Sequence, residues 1–99
     1  MSNWEPIWIA SLEIPLWIER KIQIKHGVDI EEVRRNLVCN SNVLGRIVRS
    51  HEHGSRTMVF VLLSNKRYLV AHIDLLDDDY SAWSLRTVRI TSQIPIDRR

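Results

Sequence analysis

Residues 25–37, with the sequence KHGVDIEEVRRNL, predict the end of one helix and the start of another and so locate the helical layer. Gly27 can adopt the left-handed conformation that ends many helices. Asp29 can accept hydrogen bonds from amides of the following first turn, and Glu32, three residues later, completes a pair that resembles a capping box. Two helices with a short connection are therefore expected. In the simplest interpretation the stretch has only this structural role.

Apolar residues recur at spacings of three and four on both sides of this joint. They are Ile14, Trp17, Ile18, Ile22 and Ile24, in one stripe with Lys21, before the joint, and Ile30, Val33, Leu37 and Val38 after it. This spacing predicts a first helix from about Pro15 to His26 and a second helix that ends near Leu37. Each helix is expected to pack through one face, which places Trp17 in the core.

Four segments after Cys39 are rich in β-branched and aromatic residues, which is typical of strands. They are Val43–Ser50, Arg56–Leu63, Tyr68–Leu75 and Trp83–Thr91. The connections are too short for parallel crossovers, so consecutive antiparallel pairing is expected. The predicted fold class is α+β, with two N-terminal helices packed on one face of a four-stranded antiparallel sheet. The segment with Trp4, Ile7 and Trp8 forms an extra N-terminal strand or lies across the core.

Length and composition bound the class of protein. A chain of 99 residues with 44% hydrophobic residues is expected to form a single domain over residues 1–99. Its apolar runs are far shorter than the roughly 20 residues that span a bilayer, and its N-terminus does not resemble a secretory signal, so no membrane partner and a cytoplasmic location are expected. Cys39 is the only cysteine, which excludes an internal disulfide and a thiolate metal cage.

The charge is unevenly distributed, although the formal net charge is only +2. From Asn40 to Ile73 there are five arginine or lysine residues and one acidic residue, Glu52. This segregation favours a positive strand surface that meets an anion, and a solvated polar face would produce the same pattern.

The helix joint, the meander and a last strand with the sequence WSLRTVR at residues 83–89 resemble the BrnT-type toxins of the RelE/ParE superfamily over roughly residues 15–91. The resemblance implies a RelE-like fold and a metal-independent endoribonuclease, a hydrolase that acts on messenger RNA without a cofactor. It also implies a cognate antitoxin protein that neutralises the toxin in a hetero-oligomer. DNA would be bound only through that antitoxin.

Metal-independent RNA cleavage requires a base, an acid and cations around the phosphate. The candidate catalytic residues are His26, His51 and Arg86, and the candidate phosphate-binding or RNA-binding residues are Lys25, Arg56 and Arg89. Lys25 and His26 match the helix joint of the toxins, and the two arginines of the last strand match their basic residues. Each candidate also has a purely structural interpretation, as a helix-end residue, a hairpin-loop residue or a surface charge. No metal site is expected, because His51 and His53 have no third ligand nearby.

Arg86 and Arg89 are three residues apart, so on a regular strand their side chains point to opposite faces. We assign Arg86 to the exposed face, because Arg89 shares its face with Trp83, Leu85 and Thr87, which is more typical of a core. Only a bulge would place both arginines on one face.

The alternative function is a non-catalytic module with a toxin-like fold that binds protein or nucleic acid. The two hypotheses differ in whether Lys25, His26, Arg56 and Arg86 converge on one concave surface.

Overall fold

The computed structural model describes residues 4–50 and 54–93, and at 49–50 and 54–55 it describes the backbone alone. Two helices lie on a sheet of six strands, so the chain is an α+β protein. In chain order the elements are β1 (Glu5–Pro6), β2 (Ser11–Glu13), α1 (Leu16–His26), α2 (Ile30–Leu37), β3 (Leu44–Ser50), β4 (Gly54–Leu62), β5 (Tyr68–Asp77) and β6 (Ala82–Thr91).

The sheet has the strand order β1-β3-β4-β5-β6-β2. Strands β3 to β6 form the antiparallel meander that the sequence predicts. The prediction of four strands is wrong, because the N-terminal segment adds a short strand to each edge. β1 pairs antiparallel with β3, and β2 pairs parallel with β6. These two strands are only two and three residues long, which is too short for a period-two pattern to be visible in the sequence.

The helix joint has the predicted geometry. Gly27 lies in the left-handed region at φ 60°, where its amide donates to the Gln23 carbonyl and ends α1. Asp29 caps α2, although its carboxylate accepts from the amide of Glu31, at 3.2 Å, rather than from that of Glu32. No described helix is long and apolar enough to cross a bilayer.

Residues 7–10 connect the two edges of the sheet by crossing the side on which the helices lie. Ile9 is fully buried in this crossing, and its carbonyl accepts a 2.8 Å hydrogen bond from the Cys39 amide. The Trp83 indole donates to the Trp8 carbonyl at 3.1 Å. Two backbone carbonyls of the crossing, those of Trp8 and Ile9, therefore link it to the last strand and to the residue that follows the helical layer.

Side chains alternate along the strands between two faces, and the main core occupies one of them. We call this the covered face; it contains Val59, Leu69, Ala71, Ile73, Leu85 and Val88, which pack against buried residues of both helices. We call the opposite side the open face. In α1, Ile18 and Ile22 are buried against the core. Trp17 is 57% exposed, so its predicted place in the core is wrong.

Candidate nucleic-acid interface

Five charged or titratable side chains lie close together on the open face. They are Arg56 on β4, His72 and Asp74 on β5, and Arg86 and Arg89 on β6, and we call them the arginine cluster. The register explains the grouping, because the flanking residues of these strands, such as Thr57, Ile73 and Val88, point to the covered face. Three guanidinium groups and one carboxylate make the described cluster a positively charged surface.

Asp74 connects two of the arginines. Its carboxylate lies 3.4 Å from Nε of Arg86 and 3.9 Å from Nε of Arg56. Both Nε atoms are buried, and neither makes a hydrogen bond within the described part of the chain. Asp74 therefore offsets part of the charge of both arginines, and three guanidinium groups against one carboxylate leave the described cluster positively charged.

A β-bulge places Arg86 in this cluster. Thr87 is paired with His72 and Leu85 with Ile73, which leaves Arg86 as the extra residue of β6. The bulge reverses the alternation, so Leu85 and Val88 both reach the covered face although they are three residues apart. Arg86 and Arg89 consequently both reach the open face. The prediction that Arg89 lies on a core-like face opposite to Arg86 is wrong, and the bulge is the reason.

His72 lies between the cations of the cluster. Its pKa is lowered from the usual value of 6.5, chiefly because burial disfavours the charged imidazolium and also because Arg89 and Arg56 repel it. A lowered pKa keeps the imidazole neutral at neutral pH, and a neutral imidazole can accept a proton.

Aromatic rings occupy the neighbouring part of the open face. Phe60 packs edge-to-face on Trp4, with ring centroids 4.8 Å apart, and on Tyr68 at 5.9 Å. Phe60 is buried in this small aromatic group rather than in the main core. The guanidinium of Arg46 lies 5.5 Å from the centroid of the Trp4 ring. Trp17 of α1 is exposed, and the guanidinium carbon of Arg86 lies 5.7 Å from the centroid of its ring.

The sequence-predicted site residues divide into two groups in the structure. Arg56, Arg86 and Arg89 meet on the open face. Lys25 and His26 are exposed in the last turn of α1, which packs on the covered face, and no described contact joins them to the cluster. His51 lies outside the described residues. Among the described residues, no group of three His, Cys, Asp or Glu side chains is arranged to hold a metal ion.

A groove of about 820 Å³ lies on the covered face at the end that the helices leave exposed. Its apolar lining residues are Ile7, Ile47, Ile73, Leu75 and Trp83. Ile47 is 64% exposed and Leu75 is 48% exposed. Arg56 and Asp74 also border the groove, so it adjoins the arginine cluster.

No family model, no curated protein and no solved structure matches the chain.

His72, Asp74 and Trp17 are absent from the set of site residues predicted from sequence. A signal for the first two is present in β5, where Val70, His72 and Asp74 alternate with Leu69, Ala71 and Ile73. The alternation puts the imidazole and the carboxylate on one face. No comparable signal exists for Trp17, because the apolar spacing of α1 predicts that it is buried.

Proposed function

We propose that the chain is the toxin of a toxin–antitoxin pair and that it binds RNA on the open face and cleaves it without a metal. The observation that carries the proposal is that Arg56, Arg86 and Arg89 share one face of the sheet with His72, whose imidazole is kept neutral by burial and by Arg89 and Arg56. Guanidinium groups bind phosphate oxygens through directed, charge-assisted hydrogen bonds.

The proposed reaction is an internal transesterification. His72 accepts the proton of a ribose 2′-hydroxyl, and the 2′-oxygen attacks the adjacent phosphorus. The bond from phosphorus to the 5′-oxygen breaks, and that oxygen takes a proton from water. Arg86 and Arg89 stabilise the negative charge that develops on the phosphate. The products are a 2′,3′-cyclic phosphate and a free 5′-hydroxyl.

This proposal changes the proton-transfer residue inferred from sequence. His26 lies in the helical layer, away from the arginines, and therefore does not take part in the proposed reaction. His72 replaces it, because it shares a face with the cations. A role for His51 stays a prediction.

The proposal includes an antitoxin as the protein partner and the DNA-binding member of the pair. The groove supports this part, because Ile47 and Leu75 offer an exposed apolar surface to a partner segment. A partner seated there also touches Arg56 and Asp74, which belong to the arginine cluster. Binding of the antitoxin would thereby interfere with RNA binding.

A non-catalytic RNA-binding role is the second candidate. It is favoured because Lys25 and His26 do not join Arg56 and Arg86 on one surface. It is also favoured because the described cluster contains one imidazole, and its only carboxylate, Asp74, is engaged by two arginines. No second side chain of the described cluster is thus available to protonate the leaving oxygen.

The deciding experiment measures cleavage of a labelled RNA by the purified chain in EDTA, with ribosomes present and absent. We expect a 2′,3′-cyclic phosphate product and no cleavage of a substrate with a 2′-deoxy residue at the cut site. Arg86→Ala should lower the rate about 10²–10³-fold, as removal of one such donor typically does. His72→Gln should abolish the rise of rate with pH.

Arg35→Ala is the matched control, because Arg35 is an exposed arginine of α2 in the helical layer. It should cleave at the wild-type rate. Expression of the wild-type chain alone should stop growth, and co-expression of the antitoxin should restore it. RNA binding that depends on Arg86 without any cleavage would favour the non-catalytic role instead.

A further inference from the structure

Trp17 is exposed at a position where the helix could have buried it. Trp17 belongs to the first turn of α1. The buried residues of that helix are Ile18 and Ile22. With 57% of its surface accessible, Trp17 exposes a large flat aromatic surface to solvent. A single exposed apolar side chain is common in proteins and by itself requires no ligand.

The contact between Trp17 and Arg86 distinguishes this tryptophan from the other exposed rings. The guanidinium carbon of Arg86 lies 5.7 Å from the ring centroid, within the range of a cation–π interaction. Arg86 also pairs with Asp74 at 3.4 Å and so belongs to the arginine cluster. The exposed ring of Trp17 therefore lies beside the arginine cluster, and Arg86 contacts both the ring and Asp74 of the cluster.

An aromatic surface beside a phosphate-binding cation matches the chemistry of one nucleotide. A ribose alone separates the phosphate from the base, so a nucleotide whose phosphate reaches Arg86 can stack its base on a ring next to that arginine. Stacking on aromatic side chains is the usual way in which proteins hold unpaired bases. Bases in a duplex are already stacked on each other and do not present a free face.

We propose that Trp17 is a base-stacking residue and that the ligand of the open face is single-stranded RNA, with an unpaired base next to the phosphate that Arg86 binds. This inference rests on the proposed RNA-binding function of the same face. It adds that the bound RNA is single-stranded, and it adds Trp17, a helix residue, as a residue that determines this specificity. Base-paired RNA, in contrast, is bound only through its phosphates.

The test measures binding of the full chain to fluorescent RNA oligonucleotides by anisotropy, with 2′-O-methyl riboses that prevent cleavage. Three probes of equal length are compared: a single strand, the same strand with abasic sites, and a duplex. We expect Trp17→Leu to weaken binding of the single strand about 10-fold and to leave duplex binding nearly unchanged. The abasic strand should bind equally to the wild type and to Trp17→Leu.

Two further variants control for folding and for the loss of any exposed ring. Trp17→Phe retains an aromatic surface and should recover part of the affinity. Trp8→Leu removes another exposed tryptophan, 48% accessible, from the segment that crosses the covered face, and should bind like the wild type. Circular dichroism confirms that each variant is folded.

Two results separate the failure of this inference from the failure of the proposed function. If Arg86→Ala weakens binding of all three probes but Trp17→Leu binds each probe normally, the stacking role is wrong and RNA binding stands. If the wild type binds none of the probes, the proposed function is wrong and the inference falls with it.

Discussion

The two faces of one sheet differ in what their side chains do. On the covered face, Ile73 and Leu85 are fully buried and pack in the core with the helices. On the open face, the neighbouring residues Asp74 and Arg86 form an ion pair and remain partly accessible. Adjacent positions of the same strands thus serve the core on one side and form the proposed binding surface on the other. Substitutions should affect folding on the covered face and RNA binding on the open face.

The largest loss of unfolding free energy is expected from a substitution in the core of the covered face. Leu85→Ala would leave a cavity in the main core, and such truncations of a buried leucine typically cost about 2–5 kcal/mol of unfolding free energy. Leu62→Ala is the matched control, because Leu62 is 58% exposed on the open face, where it should cost about 0.5 kcal/mol or less. Urea denaturation measures both. Equal losses in the two variants would contradict the division between the faces.

A smaller effect is expected where the N-terminal crossing meets the covered face. A Cβ atom at Gly45 would lie 2.6 Å from Cγ1 of Ile7 and 2.9 Å from Cγ1 of Val59. Gly45→Ala should therefore cost about 1–3 kcal/mol of unfolding free energy, as overpacking usually does.

The double variant Ile7→Ala with Gly45→Ala tests the cause. Ile7→Ala removes the closest atom, so the double variant should lose less stability than the two single losses added together. Strictly additive losses in urea denaturation would show that the contact with Ile7 is not the source of the strain.

The same comparison shows which features can be predicted from sequence. The helix joint follows from Gly27 and Asp29 because helix ends are determined by local hydrogen bonds. The meander follows from alternation within segments of seven residues or more. The sequence allows one extra N-terminal strand but does not predict β1 and β2 as separate strands, because their pairing is long-range and involves only two and three residues.

The candidate site depends on details that a regular alternation cannot reveal. The bulge at Arg86 shifts the pattern of β6 by one residue, so a regular alternation predicts the wrong face for Arg89. Trp17 has the spacing of a core residue, yet α1 buries only Ile18 and Ile22. The toxin function and its RNA substrate stay predictions that the experiments above address.

The smallest effect is expected from the titration of His72 on the open face, which makes the unfolding free energy depend on pH. Burial, Arg89 and Arg56 lower the pKa of His72 below 6.5 in the folded chain. Between that lowered pKa and 6.5, the unfolded chain binds more protons than the folded chain, so the unfolding free energy rises with pH. The stabilising contribution is present above 6.5 and is lost as the pH falls through the lowered pKa. His72→Gln removes the titrating group.

Urea midpoints at about pH 7.5 and about pH 5.5 test this sign. The wild type should lose more stability on acidification than His72→Gln, by an amount smaller than the effect of Gly45→Ala. Arg89→Gln should lose an intermediate amount, because it removes one of the two cations that repel the imidazolium. If Arg89→Gln loses as much stability on acidification as the wild type, Arg89 does not help to lower the pKa of His72.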